Sequence, residues 1–236
     1  MRKIKTLSIV IPVYNEEECV LDTIQDIVKV ASAMIEDLEV IAVDDNSSDT
    51  TAAILRNLAA QEKRLRVVNN RRKRGLGNAL RTGFCHAAKE AILYTDADMP
   101  CDLGELRKAI TLMEEEDADI VSAYRLNNKQ GGLKRYLYSR VFNFFMRTLF
   151  HLGVRDINFS FKLFRKNRLD ALRLESQGSF INAELFAKAV KAQYKIVQFP
   201  AFFLLRQRGK SKLDNIGNIA TIICESVLFL CKQRHS

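Results

Sequence analysis

The sequence predicts an α/β protein built on an open, mostly parallel sheet with helices on both faces. Three observations predict it. Strand, short polar loop and helix follow one another in immediate repetition through residues 7–94. The strand candidates are near-continuous apolar runs, the pattern of strands covered on both faces. The loops after them gather carboxylates and aromatic side chains at the strands' carboxyl ends, where open parallel sheets hold their ligands.

The first strand is Leu7-Ser8-Ile9-Val10-Ile11-Pro12-Val13, and Pro12, which has no N–H to give a neighbour, is expected to end its pairing. After Tyr14-Asn15-Glu16, the residues Val20, Leu21, Ile24, Ile27, Val28, Ala31 and Ile35 recur at helical spacing and mark one long helix. Glu39-Val40-Ile41-Ala42-Val43 is the second strand. The polar loop Asp44-Asp45-Asn46-Ser47-Ser48-Asp49 supplies capping residues for a helix from Ala52 to Ala60. A third unit runs from Leu65-Arg66-Val67-Val68 through Arg71-Arg72-Lys73-Arg74-Gly75-Leu76-Gly77 into a helix from Asn78 to about Lys89. Ala91-Ile92-Leu93-Tyr94 is the fourth strand, and right-handed crossovers join these units into a parallel sheet.

Thr95-Asp96-Ala97-Asp98 follows the fourth strand, where a buried segment reaches water. In an extended segment, side chains two residues apart point the same way, so both carboxylates can reach one hard cation or one polyphosphate–metal unit. Tyr14 and Glu16 after the first strand and Asp44 and Asp45 after the second lie at the same end of the sheet. Carboxylates there suit ribose hydroxyls or base amino groups. A dinucleotide fold would show a glycine fingerprint after the first strand, and Pro12-Val13-Tyr14-Asn15-Glu16 has none.

Composition bounds the rest. The 236 residues are 47% hydrophobic, enough for a sizeable core, and no linker or charge block splits them, so one domain is expected. The five cysteines (Cys19, Cys85, Cys101, Cys224, Cys231) make no Cys-x-x-Cys pair. With no N-terminal apolar stretch resembling a signal peptide, a reducing cytosol with free thiols is expected. His86, His151 and His235 are too few for a histidine-rich zinc site. The formal charge of +9 implies an anionic partner: nucleic acid, nucleotide or an acidic membrane surface.

Motifs in order along the chain carry a resemblance. Ile11-Pro12-Val13-Tyr14-Asn15-Glu16, Val43-Asp44-Asp45-Asn46-Ser47, Gly75-Leu76-Gly77-Asn78-Ala79, Asp96-Ala97-Asp98 and Ile120-Val121-Ser122-Ala123-Tyr124-Arg125 resemble the ordered motifs of family 2 glycosyltransferases with the GT-A fold. Ser160-Phe161-Lys162-Leu163-Phe164-Arg165 and Arg206-Gln207-Arg208-Gly209-Lys210-Ser211-Lys212 resemble the branch of dolichyl-phosphate mannosyltransferases and other polyprenyl-phosphate glycosyltransferases. The match spans residues 7–213, nearly the whole chain. It divides the domain into a Rossmann-like nucleotide-sugar half over 7–125, an acceptor half over 126–213 and an apolar C-terminal helix over 214–236.

The resemblance implies roles residue by residue. Pro12, Tyr14 and Glu16 line the base pocket, with Val43 and Asp45 beside base and ribose. Asp96, Ala97 and Asp98 hold the nucleotide sugar through Mg2+ or Mn2+, with Asp98 the direct metal ligand and Asp96 sharing ribose and metal. Arg125, Arg206 and Lys212 neutralise the diphosphate, a role physics supports because the departing nucleoside diphosphate gains charge in the transition state. Arg135 and Ser139 sit near the phosphate of a polyprenyl lipid acceptor. One departure is visible: Pro100 stands where many relatives carry a polar residue, so metal coordination leans on water and phosphate oxygens.

Lys134 to Gly153 is a strongly apolar helix with Lys134, Arg135, Arg140 and Arg147 along it. Two readings stand: a core helix, or an interfacial one whose aromatic face enters lipid headgroups while its cations meet phosphates. Ile216 to Cys231 is 16 residues long and contains Glu225, short of the roughly 20 a membrane span needs. It is expected to pack on the core or lie on a surface. The expectation is an enzyme peripheral on the cytoplasmic face of a membrane, with room for a separate membrane-protein partner.

The reaction expected is inverting transfer of a hexose from a nucleotide diphosphate sugar to a polyprenyl phosphate. That acceptor is already ionised at neutral pH, so alignment and leaving-group stabilisation suffice. A sugar-hydroxyl acceptor would instead need a carboxylate base, for which Asp156 and Glu184 are the candidates. Each also has a structural reading, Asp156 bracing Arg155 or Lys162 and Glu184 capping the helix at Asn182-Ala183. Nucleic acid is not expected as a partner, because the aromatic residues gather in apolar segments with no stacking platform or RNA-binding motif. A catalytically silent scaffold is opposed by the retained carboxylates and by Arg125, Arg206 and Lys212.

Overall fold

The computed structural model describes residues 3–126, 133–204, 225, 226 and 229. The order of elements is β1 (Thr6–Val13), α1 (Val20–Ser32), β2 (Asp37–Asp44), α2 (Thr51–Gln61), β3 (Leu65–Asn69), α3 (Leu76–His86) and β4 (Ala91–Thr95). Then come α4 (Glu105–Glu115), β5 (Ile120–Arg125), α5 (Leu133–Phe150), β6 (Phe161–Arg165), α6 (Lys166–Ala171), α7 (Ile181–Lys191) and β7 (Ile196–Ala201). The strands form one sheet in the order β3-β2-β1-β4-β6-β5-β7. All neighbours are parallel except β6, which runs against β4 and β5.

Period-two alternation sends each strand's side chains into two cores. On one face Leu7, Ile9, Ile11, Ala91 and Leu93 meet Ile24 and Ile27 of α1, Leu55 of α2 and Leu106 of α4. On the other Val10, Ile41, Ile92 and Tyr94 meet Leu80 and Phe84 of α3, Met146 of α5 and Phe186 of α7. Each large side chain buried in this way stabilises the fold by about 1.5–3 kcal/mol. Helices cover both faces, as the apolar runs predict.

Three boundaries depart from the sequence reading. Pro12 does not end β1: pairing with β4 runs only from Leu7 to Val10, but pairing with β2 continues through Pro12 to Val13. A missing N–H matters on one side of a strand only. Helix α1 stops at Ser32, with Met34 and Ile35 N–H groups both turning back to the Ala31 carbonyl, although Ile35 stays in the core. Helix α3 starts earlier and stops earlier than expected, with Gly75 at its N-cap and Ala87 at its C-cap.

The antiparallel β6 has a topological cause. The chain leaves α5 on the carboxyl side of the sheet and enters β6 from there, which brings Asp156 and Ser160 to the same end as Asp96 and Arg125. Most of the C-terminal segment 214–236 lies outside the described residues. Of those described, Phe229 packs on Phe150 and Phe180 at 5.7 and 5.6 Å between ring centroids, and Ser226 lies against the Met146 sulfur. At these two positions the chain packs on the core.

Candidate active site

The loops after β1 and β2 are laced together. Asn15, at a φ of 51°, donates its N–H to Ser47 Oγ and accepts the Ser48 N–H, and Glu16 donates its N–H to Thr51 Oγ1 at 2.8 Å. Asp49 accepts the Thr51 N–H at 3.0 Å at the start of α2. Burial opposes ionisation of Asp49, but hydrogen bonds from Thr51, Glu17 and its own backbone outweigh it and hold the carboxyl below its usual range. Pro12, Tyr14 and Glu16 are half-buried along this rim. The Lys73 ammonium lies 3.8 Å from the centre of the Tyr14 ring. Cys19 Sγ touches both Glu16 Oε2 and the Ala97 carbonyl, so the loops after β1 and β4 adjoin.

Two members of the expected donor pocket are otherwise engaged. The Val43 side chain is wholly buried in the core, so it can offer a donor only its backbone. Asp45, 4% exposed, accepts from Asn70 Nδ2 and from the N–H groups of Arg74 and Gly75, so its carboxylate is engaged from within the chain. A buried carboxylate must find donors, and Asp45 finds them in the loop 70–75, whose course it fixes. Gly77 beyond it is required by packing. A Cβ on Gly77 would lie 2.5 Å from the Ser176 carbonyl oxygen and 2.7 Å from the Gln177 carbonyl carbon, backbone that a side chain cannot displace cheaply. Gly77→Ala is therefore expected to cost about 1–3 kcal/mol by overpacking, seen as a fall in melting temperature of about 2–4 °C for each kcal/mol.

The carboxylates after β4 stand where expected, on a different backbone. Asp96–Met99 is a turn in which the Met99 N–H donates to the Asp96 carbonyl at 3.3 Å and Met99 has a φ of 52°. The alternation argument for an extended segment thus stops at Thr95. Ala97 is pinned beneath by Thr23, whose hydroxyl donates to the Ala97 carbonyl at 2.7 Å. Burial raises the Asp96 carboxyl above its usual range, against hydrogen bonds from Ser160 and Tyr94 and the charge of Lys162. Among the described residues no group of three or more His, Cys, Asp or Glu side chains could hold a metal. A hard divalent cation still fits the chemistry of Asp96 and Asp98, provided phosphate oxygens and water complete its shell.

Arg125 and Asp156 also depart from expectation. Arg125 Nε and Nη2 grip Asp156 at 2.7 and 3.0 Å, a two-pronged pair, and Nη2 lies 3.4 Å from Ser139 Oγ on α5. Asp156 therefore braces Arg125, not Arg155 or Lys162, and both its oxygens are engaged. The Ile157 N–H donates to Asn143 Oδ1, tying this loop to α5. Glu184 is fully buried, accepts the N–H groups of Glu175 and Ser176 at 2.8 Å each, and pairs with Lys188 at 2.8 Å. It clamps the loop before α7 and has no place as a base. Arg206 and Lys212 lie outside the described residues, as does the side chain of Arg135 in the first turn of α5.

Helix α5 has both faces the sequence left open. Phe142, Met146 and Phe150 pack on the core, while Leu137, Val141, Phe145 and Phe144, the last 73% exposed, point outward beside Arg140 and Arg147. No helix among the described residues is long and apolar enough to cross a membrane.

Sequence reasoning missed Tyr94, Lys162 and Asn182, which meet beneath Asp96. The one signal was a lysine inside the apolar run Phe161-Lys162-Leu163-Phe164. Burial pushes the Lys162 ammonium down to about 7; Asp156 and Asp96 oppose the shift and Arg125 adds to it. Unfolded, a lysine titrates near 10.4, so its contribution to stability is present above that pH and lost as pH falls through about 7. Unfolding by urea at several pH values is expected to show stability rising with pH between those limits, and Lys162→Met is expected to flatten that slope.

The chain carries paired carboxylates after β4 and Tyr14 after β1 at the carboxyl ends of a mostly parallel sheet, and solved structures agree on the fold. Glucosyl-3-phosphoglycerate synthase from Mycobacterium tuberculosis, solved with Mn2+ and UDP-glucose, superposes with a TM-score of 0.71 over 97% of this chain and 79% of that one, at 20% identity. A mannosyltransferase from Pyrobaculum calidifontis, solved with GDP-mannose and Mn2+, gives 0.62 over 89% and 59%, at 19% identity. The chain belongs to glycosyl transferase family 2, whose family model matches residues 8–173. It is 26% identical over 220 residues to the glycosyltransferase AglD of Haloferax volcanii. It is 29% identical over 214 residues to the undecaprenyl-phosphate 4-deoxy-4-formamido-L-arabinose transferase of Enterobacter sp. strain 638. The chain spans 35% of the length of the first relative and 63% of the second.

Proposed function

We propose that this chain transfers a hexose, with inversion, from a nucleotide diphosphate sugar of the UDP-glucose or GDP-mannose type to the phosphate of a polyprenyl lipid. The observation that carries the acceptor class is α5. This helix meets Arg125 through Ser139 on one side and turns Leu137, Val141, Phe144 and Phe145 to solvent on another. A lipid phosphate has a charged head for the site and an apolar tail for that face. The relative that acts, by its name, on undecaprenyl phosphate supports the same acceptor.

The carboxylates support this reading. Asp156 is held by Arg125 and Glu184 by backbone N–H groups and Lys188, so neither is poised to take a proton from a hydroxyl. A phosphate acceptor asks for no base. When bound, Mg2+ or Mn2+ would neutralise the leaving diphosphate; Asp98 and Asp96 are the side chains that would hold it. The Arg125–Asp156 pair carries no net charge, so Arg206 and Lys212 are the remaining cations assigned to the diphosphate. The enzyme would work from the cytoplasmic surface of a membrane, with α5 in the headgroup region and Arg140 and Arg147 on lipid phosphates.

Thermal stabilisation by a panel of nucleotide diphosphates and nucleotide sugars, with and without Mn2+, tests the donor. Transfer of labelled sugar to undecaprenyl or dolichyl phosphate in detergent tests the acceptor, and label in the organic phase is expected. Transfer only to a water-soluble phosphate such as phosphoglycerate, or no transfer with any donor that stabilises the protein, would overturn the lipid assignment.

A further inference from the structure

We propose that Phe203 and Leu204, just beyond β7, are positioning residues of the transfer site: they tie the turn that carries Asp96 and Asp98 to the Arg125–Asp156 pair and so set the spacing between donor and acceptor. The inference rests on the functional reading above, which puts the donor at that turn and the lipid phosphate on the α5 side of that pair.

The tie can be followed along the chain. Strands β5 and β7 run side by side as far as Arg125 and Ala201, and the Leu126 N–H adds one more bond to the Ala201 carbonyl at 3.0 Å. There the chain leaves the sheet. Three residues on, the Leu204 N–H donates at 3.0 Å to the carbonyl of Pro100, which stands two residues beyond Asp98. Between these ends Phe203 packs on the core, and the centre of its ring lies 5.6 Å from the Arg125 guanidinium carbon. The Phe159 ring is 5.8 Å from the same carbon and meets Phe203 edge to face at 6.4 Å, so the guanidinium sits in an aromatic corner. Asp156 grips it there through Nε and Nη2.

Each attachment has a physical reason. Aromatic faces carry negative potential, so two rings within about 6 Å attract the cation and, with Asp156, restrict how it can turn. Pro100 is buried, and a buried carbonyl needs a donor. Leu204 supplies it. Pro100 thus brings no side-chain ligand to a metal, yet its carbonyl anchors the turn whose carboxylates would hold one. Because Phe203 and Leu204 are neighbours, with Cα atoms about 3.8 Å apart, a shift at one attachment passes to the other.

Burial alone does not account for the segment. Phe202 and Leu204 are 67% and 47% exposed, and only Phe203 between them goes inward. A stretch kept for its apolar surface would gain by covering all three. What this one adds is the contact with Arg125 and the bond to Pro100. Spacing of that kind matters to a group transfer, since a misplacement of about 1 Å can cost about 10²-fold in rate.

The test compares four variants by saturating transfer to polyprenyl phosphate and by the NMR signal of the Arg125 Nε–H, which the two rings shift. Leu204→Pro removes the N–H that reaches Pro100, and Leu204→Ala keeps it; Phe203→Leu removes the ring face, and Phe203→Tyr keeps it. Leu204→Pro and Phe203→Leu are each expected to lower kcat roughly 10–100-fold, with nucleotide affinity unchanged and the melting temperature close to native. Leu204→Ala and Phe203→Tyr are expected to behave as the unaltered protein does. The Arg125 signal is expected to move in Leu204→Pro, although residue 204 is not the one whose ring meets the guanidinium. A native signal and native kcat in folded Leu204→Pro and Phe203→Leu proteins would overturn the inference and leave the transferase reading standing, as would a loss confined to donor affinity. If the unaltered protein transfers nothing to a lipid phosphate, the functional reading falls and this positioning role falls with it, whatever the Arg125 signal shows.

Discussion

Asp98→Ala is expected to lower kcat/KM for sugar transfer by at least about 10²–10³-fold, the range that follows loss of one electrostatic contact to a developing anion. The leaving nucleoside diphosphate gains negative charge as the glycosidic bond lengthens, and a divalent cation is the strongest local charge able to meet it. Asp98 lies in the Asp96–Met99 turn, partly exposed, outside both apolar cores. The turn closes through backbone atoms and through Thr23 on the Ala97 carbonyl, so the variant is expected to melt within about 2 °C of the native protein, under about 1 kcal/mol. Transfer measured with and without added Mn2+ checks it. Full activity in the variant, or in the native protein with excess chelator, would remove the metal from the mechanism.

What was legible in the sequence follows from what is local. The apolar runs and helical spacings located β1 to β4 and their helices within a few residues, because burial on both faces of a sheet leaves its record residue by residue. The strand ends carried the polar rim for the same reason. Partnerships were not legible. Asp45 and Asp96 are both carboxylates after an apolar strand, yet one is filled by the N–H groups of Arg74 and Gly75 and the other takes the Tyr94 hydroxyl and stays partly exposed. Glycines 75 and 77 read as part of a motif, but the backbone of 176–178, a hundred residues away in the chain, is what excludes a Cβ at Gly77. Lys162 reads in the sequence as part of a motif and a possible partner for Asp156, whereas the fold closes Tyr94, Phe186 and Asn182 around it. Long-range pairing decides whether a polar side chain serves the ligand or the fold.

Arg125→Ala is expected to destabilise the protein by about 3–5 kcal/mol, the cost of leaving one member of a buried ion pair without its partner. Asp156 is 4% exposed, and both its oxygens rest on the guanidinium. At about 2–4 °C for each kcal/mol in a chain of this size, the melting temperature should fall by about 6–20 °C. Asp156→Leu alone is expected to be costly in the same way, since it strands the guanidinium. The double variant Arg125→Met with Asp156→Leu should recover much of the loss, because two well-packed apolar side chains replace a desolvated pair. Urea unfolding of the native protein, both singles and the double gives the coupling directly. Function should not recover with stability. Arg125 reaches Ser139, and the neighbouring Ile157 N–H reaches Asn143, so the pair fixes α5 against the carboxyl end of the sheet. A double variant as stable as the native protein but at least tenfold weaker with polyprenyl phosphate, its donor affinity intact, would place the pair's purpose in acceptor alignment. Equal losses for donor and acceptor would return Arg125 to the diphosphate.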